Sequence, residues 1–298
     1  MSARITTMMV SRNVLADINS AAARLDHTRA KSSSGKELTR PSDNPYAVAR
    51  ALRLRQTLEG THQHQRNASD AIGWQEATEQ ALSEITEAGQ KARDLIVQAG
   101  NDTATPASRT AIAAELSQII QTIKEHGNAT YAGRFLFGGT ETQSPPYPAA
   151  DATDAYRGND GLIAREIGPN VSLAVNVTGP EVLGTGQTGL LGVLRTAVAH
   201  LAASDGAALR DVDVAALDGQ LDRLMGVRAD NGAKSNRIES ALSRLAQFEE
   251  STLSQLSETE DADFAQVMID LNSQQAAYNA ALKSGANIVQ SSLMDFLR

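Results

Sequence analysis

Two stripes of apolar side chains, one near each end of the 298-residue chain, limit what it can fold into. Near the start, Met8, Leu15 and Ala22 recur every seven residues, with Ile18 and Leu25 three or four positions away. Near the end, Phe264, Met268, Leu271, Gln275, Tyr278, Leu282, Gly285, Val289, Leu293 and Phe296 follow one another at intervals of three and four, with a single slip. That spacing is close to the 3.5-residue repeat that keeps one helix face turned toward a partner helix. The stripes predict a mainly α chain, a long antiparallel coiled-coil rod with its N- and C-terminal helices paired and a small inserted β module at the far tip. A lone stripe is a slender basis for so long a helix, because ordering each backbone residue costs about 1–2 kcal/mol. Ile5, Met9, Val10, Val14, Ile288 and Leu297 fall beside the stripes, where an isolated pair would leave them in water. The expectation is that both ends gain order when neighbouring copies cover them. Ile5 and the residues of the two stripes other than Gln275 and Gly285 are the candidate assembly interface.

Between the stripes the punctuation is plain. A first helix is predicted from Ile5 to Ser33 and stopped by Gly35, followed by the turn-rich Arg40-Pro-Ser-Asp-Asn-Pro45. Asn44 can cap the next helix with Pro45 in its first position, where a missing N–H costs nothing. That helix should run to about Gln98, and Thr105-Pro106 should restart another, to about Ala132, by the same device. From Phe137 to Gly189 the chain turns rich in Gly, Pro, Asp and Thr. Leu162–Ile167 and Val171–Thr178 read as strands, the second with Val171, Leu173, Val175 and Val177 alternating with smaller or polar residues. Tyr147 and Tyr156 are expected on neighbouring strands. Helical pattern resumes at Leu190, with long helices over Val214–Ser257 and Ala262–Phe296. The predicted organisation is an inner N-terminal helix (1–44), the first half of a helical rod (45–140), a β-rich insertion (141–189), the second half of the rod (190–261) and an inner C-terminal helix (262–298).

Composition removes most chemistry. There is no Cys, hence no disulfide, thiolate metal site or thiol nucleophile. Aromatics are 4% of residues, too few to anchor a thick globular core. No apolar run reaches the length of a membrane span, and the opening MSARITTMMV lacks an apolar stretch of secretory-signal length, so neither a membrane segment nor a cleavable leader is expected. Net charge is −8, yet residues 1–66 carry eleven Lys and Arg against five Asp and Glu. The cations are dispersed along helical pattern with Tyr46 the one aromatic among them, which argues for a basic segment meeting an acidic one within an assembly rather than for nucleic acid. Gly184-Thr-Gly-Gln-Thr-Gly189 matches GxGxxG, but a dinucleotide site needs a strand directly before it and a βαβ repeat, neither of which is visible. An enzyme using that loop is the remote alternative. His62 and His64 would point to different faces of a helix, so no metal pair is expected. No catalytic residue, cofactor or metal is predicted.

Several blocks, in order, resemble the bacterial flagellin superfamily, and within it the hook-associated branch at the junction of hook and filament. They are Ser33-Ser-Gly-Lys36 with Pro41-Ser-Asp-Asn-Pro45, Arg134-Phe-Leu-Phe-Gly-Gly-Thr140 with Gln143-Ser-Pro-Pro-Tyr147, and Tyr156-Arg-Gly-Asn-Asp-Gly161 through Gly179. Val227-Arg-Ala-Asp-Asn-Gly-Ala233 with Asn236-Arg237 follows, then Asp261-Ala-Asp-Phe264 and Ser292-Leu-Met-Asp-Phe296. Pro41 and Pro45 are similar to the junction branch; filament flagellins, the nearer alternative, usually carry a different block there. The resemblance implies a structural protein of the flagellum that is exported through the flagellar apparatus and self-associates in a helical ring. Its neighbours would be another hook-associated protein and flagellin. It also implies terminal helices on the inner tube, the β module on the exterior, and an export chaperone that shields Phe264–Phe296.

Overall fold

The computed structural model describes residues 7–101, 104–149, 151 and 153–296. In chain order it runs α1 (Thr7–Ser34), α2 (Pro45–Gly100), α3 (Pro106–Gly127), β1 (Thr130–Tyr131), β2 (Arg134–Phe135), β3 (Ala164–Gly168), β4 (Val171–Ala174), α4 (Gly179–Leu183) and α5 (Leu190–Ala202). A one-turn α6 (Gly206–Ala208) then passes through a π-helical turn (Leu209–Asp213) into α7 (Val214–Glu260), and α8 (Phe264–Phe296) follows. The caps act as their chemistry demands. The Ala47 amide donates to the Asn44 side chain at 3.1 Å and the Ser108 amide to the Thr105 hydroxyl at 3.2 Å, each with a proline next in line. Gly35, at φ +66°, ends α1 in the left-handed region that glycine enters without steric cost.

The chain divides into two compact units, one made of residues 1–60 and 248–298, the other of residues 61–247. In the second unit α2 and α7 run antiparallel, and four contacts fix their register. Arg93 pairs with Asp218, the Leu221 side chain fills the space beside Gly89, Arg228 pairs with Glu79, and Asn231 donates to the Gln75 carbonyl. Small residues on α2 (Ala68, Ala71, Ala81, Ala92, Ala99) and isoleucines on α3 (Ile112, Ile119, Ile120, Ile123) join Leu194 of α5 and Leu217 and Leu224 of α7 in one core. The single Trp74 is 2% exposed and meets Tyr131 edge-on at 6.0 Å.

Three expectations for this unit need correction. The helix expected to reach Ala132 ends at Gly127 because the Asn128 side chain leaves the helix to bond the backbone of Tyr147 in both directions, at 2.6 and 2.9 Å. Positive φ at Ala132 and Gly133 then turns β1 into β2. β3 and β4 do form an antiparallel hairpin with a bulge between Glu166 and Gly168, but Val175–Thr178 is not paired as strand. It is buried throughout, with the Asn176 amide side chain supplying what a neighbouring strand would: it accepts from the Ile163 amide and donates to the Gly161 carbonyl, both at 2.8 Å. Tyr147 and Tyr156 lie outside any strand, yet they do pack on each other, ring centres 5.6 Å apart. The short α4 is unforeseen; the Thr178 amide donates to Glu181, three residues on, the local geometry of a helix start.

Candidate assembly interface

α1 and α8 lie antiparallel in the first unit. Ser32 approaches the Met268 sulfur at 3.7 Å, and a Cβ on Gly285 would stand 3.0 Å from both Val14 and Ile18. Along α1 one series of shielded positions is Val14, Ile18, Ala21, Leu25, Thr28 and Ser32, with Ala22, His27 and Lys31 half-buried beside it; along α8 the shielded positions are Val267, Leu271, Gln274, Tyr278, Ala281 and Gly285. Both series step by 4, 3, 4, 3 and 4, the knobs-into-holes interval.

The seam is therefore of the expected kind but in part displaced by one residue. Ile18, Leu25, Leu271, Tyr278 and Gly285 lie in it. Leu15 is 57% exposed while Val14 faces α8; the series passes through buried Ala21, with Ala22, half-buried like Val14 and Ile18, at its edge. On α8, Val267, Gln274 and Ala281 replace Met268, Gln275 and Leu282 in the seam, and Phe264, 63% exposed, stands outside it. In the three apolar pairs whose members differ, Val14/Leu15, Val267/Met268 and Ala281/Leu282, the smaller or narrower residue turns inward. Ala21, Ala281 and Gly285 let the two backbones approach closely, and Leu15, Met268 and Leu282 are left on the outside. Ile5 lies outside the described residues, as do the side chains of Met8, Val289, Leu293 and Phe296.

A second set of contacts, invisible to pattern reading, ties the two ends of the chain together. The Glu37 amide donates to the Glu260 carbonyl at 2.7 Å and the Ala262 amide to the Gly35 carbonyl at 3.0 Å. Around this backbone bridge the buried Glu260 carboxylate meets Arg55 at 2.7 Å and Lys36 at 3.4 Å, and Lys36 also reaches Asp261 at 2.8 Å. The Lys36 ammonium and the Ser257 hydroxyl hold the Asp261 carboxyl below its ordinary value, and Asp261 in turn raises Lys36. The link between α1 and α2 is thus stitched to the link between α7 and α8. Asp43 closes the α1–α2 link itself, accepting from the amides of Thr39 and Arg40 and facing His27 at 3.3 Å.

Burial separates the two units sharply. Of the 41 buried hydrophobic residues among those described, five (Ala21, Leu25, Ala51, Leu58 and Val267) belong to the first unit. Of the 14 large hydrophobic residues left exposed, ten belong to it, from Met9 and Leu15 through Tyr46 and Leu52 to Phe264, Ile269 and Leu282. Monomeric surfaces seldom concentrate apolar side chains this way unless something covers them.

The chemistry considered from sequence has no support in the geometry. The segment before Gly184 is α4, not a strand, and the glycines serve close packing: a Cβ on Gly184 would lie 2.6 Å from the Gly189 Cα. Arg223 beside this loop is occupied with the carbonyls of Pro180 and Val182. Among the described residues no cluster of three or more His, Asp or Glu is placed to hold a metal ion, and no helix is long and apolar enough to cross a membrane.

Comparison with known proteins bears on the ends first. Residues 5–142 match the bacterial flagellin N-terminal helical region and residues 208–297 the C-terminal helical region, together about three-quarters of the chain. The flagellar hook-associated protein 3 of Salmonella typhimurium is 26% identical over 99% of this chain and all of its own length. The flagellar filament 31.3 kDa core protein of Treponema maltophilum is also 26% identical, over 97% of each chain. The crystal structure of the flagellar junction protein FlgL from Legionella pneumophila superposes with a TM-score of 0.60 at 14% identity, covering 71% of this chain and 99% of that one, which is a likeness of fold.

Proposed function

The chain belongs to the bacterial flagellin family, and from that premise we propose that it is the structural subunit that links the flagellar hook to the filament. The observation that carries this reading is the end-to-end match with a hook-associated protein 3, over 99% of this chain and 100% of that one. Pro41 and Pro45 in the α1–α2 link favour the same branch. Assembly, not catalysis, is the activity: copies self-associate in a helical ring by covering the apolar face that α1, α8 and the start of α2 leave open. Another hook-associated protein lies on one side of that ring and flagellin on the other. The chain works outside the cell, is passed through the flagellar export apparatus, and before assembly its α8 segment is covered by an export chaperone.

A filament flagellin is the second reading, favoured by the equal identity to the Treponema filament protein. Removing the gene separates them. A junction subunit predicts cells with complete hooks that shed unpolymerised flagellin into the medium. Normal filaments on such cells overturn the junction role, and hooks with no flagellin in the medium point to the filament reading.

A further inference from the structure

The first unit carries opposite charge on its two chain segments. Residues 1–60 hold ten Lys and Arg against five Asp and Glu, whereas residues 248–298 hold two against eight. Part of this difference is consumed internally, by Lys36 and Arg55 on Glu260 and Asp261. Two strips are not. At the start of α2, Tyr46, Arg50 and Arg53 follow at intervals of four and three on one exposed face, with Tyr46 75% exposed. Among the described residues neither guanidinium meets a hydrogen-bond or ion-pair partner. At the end of α7, Glu250 and Glu258 lie eight residues apart, about two helical turns, on the face turned away from buried Thr252 and Glu260, and Leu253, 47% exposed, stands at the edge of that face three residues from Glu250. Among the described residues these carboxylates meet no cation either.

We infer that the Tyr46–Arg53 strip of one copy docks on the Glu250–Glu258 strip of the next, a second copy of this chain being the occupant. The inference rests on the assembly reading above and names the surfaces through which it operates. The match is of both kinds that an interface needs: an exposed large side chain on each side, Tyr46 and Leu253, to exclude water, and opposite charges to select partner and register. The two strips differ from each other, so the contact is heterologous and can repeat along an array instead of closing on a pair.

The test uses charge reversal. One variant carries Arg50→Glu with Arg53→Glu, a second carries Glu250→Arg with Glu258→Arg, each supplied in place of the natural gene to cells that make the chain. Either variant alone should fail to enter sheared flagella, and the two expressed together should enter, since each then offers the strip its neighbour has lost. Helical circular dichroism and Trp74 emission of the purified variants should match the parent, which separates lost docking from lost folding. In the Cys-free parent, Arg53→Cys combined with Glu250→Cys should give a ladder of covalent multimers when assembled flagella are oxidised. If the parent chain is absent from flagella, the junction role falls and this contact with it. If the parent is present but the single variants enter equally well, or the mixture fails to restore entry, or no ladder forms, the contact alone is overturned.

Discussion

Single residues in the second unit show how much depends on backbone the pattern does not describe. Gly139 sits at φ +68°, and a Cβ there would lie 1.9 Å from the carbonyl oxygen of Asn159. Asn159 cannot retreat, because its side chain accepts from the amides of Thr140 and Gly161. Gly139→Ala should therefore cost at least about 2 kcal/mol, strain and displaced hydrogen bonds together, read as a lowered denaturation midpoint in Trp74 fluorescence. Lys124 is buried at 1% exposure, where it pairs with Asp154 at 2.9 Å and donates to the Asp151 carbonyl at 2.8 Å, and Arg195 binds the same Asp154 carboxylate. Burial pushes the Asp154 carboxyl up, but Arg195 and Lys124 outweigh it and hold the group below its ordinary value. A carboxyl lowered on folding adds stability that is complete above its unfolded value near 3.9 and is lost as pH falls from there toward the folded one. The parent should thus lose stability on acidification through that window, and Lys124→Met should flatten the loss, measured by thermal denaturation at stepped pH.

At the scale of elements, the α1–α8 pair separates two roles that one apolar pattern had merged. Leu25, 3% exposed in the seam, holds the pair together, whereas Leu15, ten residues earlier, faces outward. Leu25→Asp should strip helix signal from the purified chain, since it puts a carboxylate at a position only 3% exposed between the two helices. Leu15→Asp should leave helix content unchanged and block entry into flagella. Equal circular dichroism losses for the two would show that the outward face is not spare. Gly285 belongs with Leu25: a Cβ there would stand 3.0 Å from Val14 and Ile18, so any side chain would press on both. The backbone bridge from Glu37 and Gly35 to Glu260 and Ala262 works differently. It uses no side-chain specificity, only the coincidence in space of two links far apart in sequence.

Across the whole molecule, the contrast in burial predicts a contrast in stability. The unit holding 36 of the 41 buried hydrophobic residues has the means to fold alone, and the unit holding five leans on a thin seam and a charged bridge. Local opening follows such differences in apolar contact. Dilute monomer treated with a nonspecific protease should lose its two ends first and leave a resistant fragment close to residues 61–247, whereas assembled chain should resist throughout. Simultaneous cleavage of both units in the monomer would remove the ground for order acquired on assembly. The helical plan, the caps at Asn44 and Thr105, the hairpin after Leu162 and the pairing of the two ends could all be read from residue order, because each rests on local chemistry or on a period a few residues long. What the period leaves undetermined is phase. Where Val14 adjoins Leu15, Ala21 adjoins Ala22, Val267 adjoins Met268 and Ala281 adjoins Leu282, two neighbouring stripes satisfy the same repeat. Only packing against a real partner chooses between them, and where the two differ in size, close approach of the backbones favours the smaller side chain. The buried Lys124–Asp154 pair, the Asn128 and Asn176 side chains standing in for backbone partners, and the Gly35–Ala262 bridge were likewise decided by tertiary structure. Each joins groups more than a dozen residues apart in the chain, and no local signal records that they will meet.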